Sequence, residues 1–201
     1  MKGSLIILAF FILGVICGYT KLLSISKFGF DVSFLALAAL IFCVGISVGH
    51  SITELKRNLS NLSTRMLMLP VFTMAGTLAG CLAVSFFLPS RSITDVLAIG
   101  SGFGYYSLSS IFITEYRGAE LGTIALLANI IRELLTLLGA PIIYRFFGPL
   151  APISSGGATS MDTTLPIITA VSGKNFAMLS IYHGFIMDLS VPFLVTLFCS
   201  L

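Results

Sequence analysis

The stretch Ala125–Pro141, ALLANIIRELLTLLGAP, decides what kind of molecule this is. It reads as a membrane-spanning helix, yet Arg132 and Glu133 stand in its middle, one turn after Asn129. A charge at the centre of a bilayer costs about 3 kcal/mol or more unless it is paired or wet. Asn129, Arg132, Glu133 and Thr136 lie at i, i+3, i+4 and i+7, which puts all four on one helical face. Between them, Ile130, Ile131, Leu134 and Leu135 are apolar. Such a helix turns one polar stripe to a bundle interior and an apolar surface to lipid. Residues at i and i+1 do not face each other along a helix, so Arg132 and Glu133 are each expected to have a partner elsewhere. Asp162, Asp188, Glu115, His183 and unpaired backbone are the candidates.

Working outward, the composition agrees. The chain is 57% hydrophobic and 9% charged, with a mean hydropathy of +1.06. A soluble domain carries roughly 25% charged residues, so this chain has no polar coat for water. The expected fold class is an all-α integral membrane protein in the lipid bilayer, with about six or seven transmembrane segments of ~20 residues. Residues 1–201 read as a single membrane domain, with an N-terminal three-helix part over 1–90 and a transport core over 91–201. The net charge of +3 is spread along the loops and points to no nucleic acid partner. Cys17, Cys43, Cys81 and Cys199 fall in separate apolar runs without metal-ligand spacing, and read as small buried hydrophobes. No cofactor or metal is expected. The N-terminus resembles a signal peptide, with Lys2 before an apolar run, but no soluble domain follows it, so it reads as a retained first helix.

Helices are expected over Ser4–Tyr19, Val32–Gly49, Met66–Leu88, Leu121–Phe147 and Phe176–Phe198. Gly76 and Gly80 form a small-xxx-small pattern that invites close helix packing. A bend is expected at Gly139–Pro141. Placing the 50–65 linker in the cytoplasm puts Lys2, Lys56, Arg57 and Arg65 inside, against Lys21, Lys27 and Arg91 outside. Arg117 joins the inner set if the segment before it crosses.

Two segments break the apolar pattern: GSGFGYYSLSS (Gly100–Ser110) and SSGGATSMDTTLP (Ser154–Pro166). Glycine permits unwound backbone, and serine and threonine hydroxyls satisfy the groups it frees. Irregular backbone at membrane depth survives only where protein buries it or where it lines a wet cavity. A pair of glycine-broken helices, discontinuous or re-entrant, is the pattern of secondary transporters, whose substrate and coupling ion bind near the midplane. The plainer alternative is two loops outside the membrane. For Arg132 and Glu133 the alternatives are a structural ion pair or a transport site. A carboxylate at low dielectric can take up and release a proton through a cycle, which makes Glu133 the first candidate for a coupling residue. His183 and Asp188 share the last helix but stand five residues apart, about 140° around it, and so cannot serve one site together.

Four motifs occur in order: SGFGYYSLSSIFITE (101–115), NIIRELL (129–135), GGATSMDTTLP (156–166) and HGFI…SVPFL (183–194). They resemble the LysO family of bacterial lysine exporters, closely over the last half of the chain and more loosely over the middle. The resemblance implies efflux of L-lysine and toxic analogues such as thialysine across the inner membrane, coupled to protons. It places the intramembrane acid on Glu133 beside Arg132. It places glycine-rich motifs on Ser101–Ser107, with Gly102, Gly104, Tyr105 and Tyr106, and on Gly157–Asp162 with Thr159 and Ser160. It places a histidine-glycine pair on His183 and Gly184. On this basis Glu133 or Asp162 would meet the lysine ammonium, and amides near Gly156–Thr159 its carboxylate. Two departures stand out. Asn129-Ile130 replaces the Asn-Asp of many members, and longer members carry a further N-terminal membrane region. A small separate membrane subunit or a homodimer would supply that region. The alternatives are a carrier for another amino acid or for an organic anion bound by Arg132, and a non-transporting subunit of a two-part exporter. An aspartyl protease would need Asp162 and Asp188 to face each other, and the glycine-flanked aspartate signatures are absent.

Overall fold

The computed structural model describes residues 64–201 and scattered positions between 12 and 20. The helices expected over Ser4–Tyr19 and Val32–Gly49, and the 50–65 linker with its basic residues, lie outside the described residues apart from those positions.

The described residues form helices joined by short turns, with no strand among them. A short Thr64–Leu67 helix leads into α1 (Leu69–Ser85), with Pro70 in its first turn, where a missing N–H costs nothing. After the Pro89 loop, Ser92 caps α2 (Ile93–Gly100) by accepting the Asp95 N–H at 3.0 Å. A non-helical turn carries the chain into α3 (Tyr106–Arg117), and Gly118, with φ 91°, reverses it into α4 (Ala119–Phe147). The short α5 (Ala151–Gly156) continues as a 3₁₀ turn, Gly157–Met161, and then as α6 (Leu165–Ser172). A second 3₁₀ turn, Lys174–Phe176, opens α7 (Ala177–Ser200).

Two stretches, Ala119–Phe147 and Lys174–Ser200, are long and apolar enough to cross a membrane. At 1.5 Å per residue, α4 spans about 44 Å, against a hydrocarbon core of about 30 Å. The helix runs unbroken through Pro141. Polarity is distributed the opposite way to a soluble protein. Phe72, Ile131, Leu135, Phe147 and Phe193 are exposed, whereas Ser101, Asn129, Thr136, Ser160, Thr164 and His183 are buried.

The contacts between helix ends define the path of the chain. Arg117, at the end of α3, pairs with Asp95 at the start of α2, 3.4 Å away. Its Nε donates to Cys199 O at 3.0 Å, at the end of α7. Glu120, at the start of α4, pairs with Arg91. One end of the molecule therefore gathers the start of α2, the end of α3, the start of α4 and the end of α7. So α2 and α3 form a hairpin that brings Arg117 back to the end of the molecule where Asp95 lies. A straight path from Asp95 to Arg117 would part them by about 30 Å. At the other end, Leu69, Leu150, Ile153, Ile168, Phe176 and Leu179 pack in one cluster. It gathers the starts of α1, α5 and α7 with α6, so α5 and α6 form a second hairpin from the opposite side.

Each hairpin holds the long helix of the other half. Met187, Val191, Val195 and Cys199 of α7 pack with Ala98 of α2 and Ile113 of α3. Residues of α4 meet α5, as described below. The unit α2–α3–α4 is thus repeated, inverted, as α5–α6–α7.

Gly76 and Gly80 do not provide the expected close approach among the described residues: nothing lies within 4 Å of a Cβ built on either. The tight contact of α1 comes instead from Cys81, which packs on the bare Cα of Gly100.

Candidate functional site

The tips of the two hairpins meet in the middle of the molecule. The Ala158 N–H donates to Phe103 O at 2.9 Å. Gly157, with φ 63°, lies so close to Phe103 O that a side chain there would collide with it. Gly104, with φ 98°, has Gly156 O 3.1 Å from where its Cβ would be. Phe103 itself is wholly buried with φ 46°, a conformation costing a non-glycine residue about 1–3 kcal/mol and kept only where the surroundings over-determine it.

The polar stripe of α4 supports this crossing. Asn129 Oδ1 accepts the Gly104 N–H at 2.7 Å, its Nδ2 donates to Ala125 O at 2.8 Å, and its amide packs on Gly102. Thr136 Oγ1 lies 2.7 Å from Ser155 Oγ. Arg132 donates from Nε to Ser155 O and from Nη2 to Ser154 O, both at 2.9 Å, and reaches Thr77 Oγ1 at 3.5 Å. Its partners are therefore the unpaired carbonyls at the end of α5, where a cation also complements the helix dipole.

Glu133 departs from its neighbours. Successive helix residues are about 100° apart, so with Asn129 and Thr136 centred under the crossing, Arg132 and Glu133 fall on opposite flanks. Glu133 faces Thr163 and the charge of Asp162, across the crossing from the Arg132 guanidinium. Asp162 Oδ1 accepts from the Thr163 N–H at 2.5 Å and from the Thr163 hydroxyl at 3.3 Å. Tyr106 lies within the influence of Glu133 and Asp162, and Tyr105 within that of Asp188 and Asp162. A cavity of about 220 Å³ opens here, lined by Gly104, Tyr105, Tyr106 and Ser107 of the first tip, Thr159, Asp162 and Thr163 of the second, and Asp188 of α7. A second cavity, of about 590 Å³, lies on the Arg132 flank between α1, α2 and α4, and its walls are mainly apolar.

Of the residues singled out in the sequence, Tyr105, Tyr106, Ser107, Thr159, Asp162 and Gly104 come together around the first cavity, with Glu133 beside it. Ser101, Gly102, Gly156 and Gly157 lie beneath the crossing as its scaffold; Ser101 Oγ donates to Leu97 O at 2.8 Å. The amides near Gly156–Thr159 are less open than expected, since the Ala158 N–H is spent on Phe103. The amino end of α3, which no side chain caps, borders the cavity instead. His183 and Ser160 are elsewhere. His183 is fully buried, with Nδ1 3.0 Å from Ser160 Oγ and Nε2 3.0 Å from Thr73 Oγ1, and it lines neither cavity. Ser160 and Ser180 exchange hydroxyl-to-carbonyl bonds at 3.0 and 2.6 Å. Glu115 is exposed near the end of α3, away from the site. The sequence reading named the run Ser101–Ser107 without singling out Phe103, and it missed Thr163. A residue between two glycines was the available signal for Phe103; a threonine next to Asp162 offered none.

The Lysine exporter LysO family matches residues 8–199 of the chain. A Haemophilus influenzae protein whose name refers to lysine export is 37% identical over 164 residues, 82% of either chain. The Lysine exporter LysO of Escherichia coli is 36% identical over 162 residues, 81% of this chain but 53% of that relative's length. No solved structure matches the chain. The chain belongs to the lysine exporter LysO family, a family of bacterial membrane transporters and not of enzymes.

Proposed function

We propose that this member of the LysO family carries L-lysine out of the cell across the inner membrane, as a multi-pass secondary transporter that exchanges the amino acid for protons. The observation that carries this reading is the meeting of the two hairpin tips beside a cavity walled by carboxylates. In a bilayer, α1, α4 and α7 cross, and the hairpins enter from opposite faces as broken helices that reach the middle. Backbone of that kind is stable at membrane depth only when buried or facing water, and the tips have both environments. An inverted repeat around such a site is an architecture that many alternating-access carriers use.

The chemistry follows from the wall. Asp162 receives an ammonium group of lysine, and the α-carboxylate is favoured by the dipole at the amino end of α3, where the Tyr105 and Tyr106 N–H groups are already held by Gly102 O and Gly104 O. Glu133 exchanges a proton when lysine leaves, so that the site does not return across the bilayer with an uncompensated charge. Thialysine shares both ends of lysine and follows the same route. Arg132 is occupied by carbonyls, which weighs against an organic anion as the substrate.

The test is efflux of labelled lysine from a bacterial host without its own exporter. Wild type should export lysine, and Glu133→Gln should fall to the level of the empty host while its amount in the membrane is unchanged. Full efflux by Glu133→Gln would remove Glu133 from the mechanism. The chain spans about half the length of the Escherichia coli relative. In a second reading the chain works with a small membrane subunit or as a homodimer, and efflux would then require co-expression of that subunit or track the dimer.

A further inference from the structure

We infer that Asp188 is a third working carboxylate of this site, holding one ammonium group of the substrate and making the carrier selective for amino acids that bear two. The inference rests on the lysine reading above and adds a specificity residue to that site.

Three observations converge on Asp188. Its side chain lines the same cavity as Asp162, with Tyr105 under the influence of both. It is the inverted counterpart of Glu133: Glu133 is the fifteenth residue of the 29 in α4, and Asp188 the twelfth of the 24 in α7. Each long helix thus brings one carboxylate from its midpoint to the crossing. Finally, none of the three acids has a protein cation among the described residues. The ion pairs are Arg91–Glu120 and Arg117–Asp95, both at one end of the molecule, and Arg132 is spent on Ser154 and Ser155. The nearby histidine does not serve either, because His183 points about 140° away and is held by Ser160 and Thr73.

Three acids around one cavity, with no cation paired to them among the described residues, favour an occupant that brings positive charge. Lysine brings two ammonium groups and one carboxylate. With Glu133 carrying the exchanged proton and the α3 end facing the carboxylate, Asp162 and Asp188 remain, one for each ammonium. Norleucine has the same carbon chain without the terminal amine, so it would leave one of these acids unpaired.

Inside-out membrane vesicles holding the full chain report this directly through uptake of labelled lysine, with unlabelled norleucine as competitor. In wild type, norleucine should compete at least about tenfold more weakly than unlabelled lysine. Asp188→Asn should raise the KM for lysine about tenfold or more, with a smaller change in kcat, and should narrow the gap between the two competitors. Asp188→Glu, which keeps the charge, should recover most of the affinity. An Asp188→Asn protein with wild-type KM and wild-type discrimination would overturn the inference and leave the lysine reading intact. If Asp188→Asn fails to fold, the wild-type competition decides: norleucine competing as well as lysine overturns the inference. Absence of lysine uptake by wild type would overturn the lysine reading and this inference with it.

Discussion

Replacing Arg132 with methionine separates a structural guanidinium from one that binds substrate. Arg132 makes two charge-assisted bonds of 2.9 Å to the last carbonyls of α5. Bonds of this kind contribute about 1.5–3 kcal/mol each. Against this, methionine avoids the desolvation of a buried cation. The net loss should be roughly 2–4 kcal/mol, because Ser154 O and Ser155 O are left without donors. For a chain of this size that corresponds to a fall of roughly 5–15 °C in thermal midpoint. The chain contains no tryptophan, so the midpoint is best read from the size-exclusion peak that survives heating in detergent. Arg132→Lys should recover only part of the loss, since a single ammonium cannot fork to two carbonyls as a guanidinium does. An Arg132→Met protein melting within about 2 °C of wild type would refute the reasoning. Arg132 would then be free to act as an anion-binding residue, and a change in substrate would be its signature.

Two further outcomes follow from the crossing. Gly157→Ala places a methyl group against Phe103 O at a φ of 63°, so it should abolish lysine efflux and sharply reduce the yield of monodisperse protein; efflux at wild-type rate would mean the tips do not meet as described. His183→Ala removes a buried ring that joins Ser160 to Thr73, and should lower the thermal midpoint by roughly 5–10 °C. Its KM for lysine should stay within twofold of wild type, because the ring lines neither cavity; a large rise in KM in vesicle uptake would make His183 a binding residue.

Much of this was legible in the sequence, for reasons that can be named. The stripe of Asn129, Arg132 and Thr136 follows from the helical period alone, and the partners of Arg132 fall where unpaired carbonyls were expected. The glycine clusters at 100–104 and 156–157 mark the two tips because only backbone without side chains can approach so closely. The return of the first hairpin was not legible. Residues 93–117 are also long enough to cross a membrane, and only the meeting of Asp95 and Arg117 distinguishes the two paths. For Gly76 and Gly80, a small-xxx-small pattern shows that a helix can be approached closely, not which neighbour does so, and none of the described residues does. His183 was ambiguous for a related reason: a histidine in an apolar helix needs two polar partners, and local sequence does not tell Ser160 and Thr73 from a substrate.

The adjacency of Arg132 and Glu133 has a physical explanation in this geometry. A helix passing beneath two crossed tips must serve both flanks at one depth, and neighbouring residues are the pair that lies on opposite flanks of a common centre. The arginine goes to the flank where α5 ends, and its charge is used up within the protein on Ser154 and Ser155. The glutamate goes to the flank where Asp162, Asp188 and the tyrosines surround a cavity. Interchanging the two would set a carboxylate against carbonyl oxygens and leave a guanidinium in the path of a cationic substrate, so both functions should be lost from an Arg132→Glu, Glu133→Arg double variant. If that protein retained the fold and exported lysine, the division of labour between the flanks would be wrong.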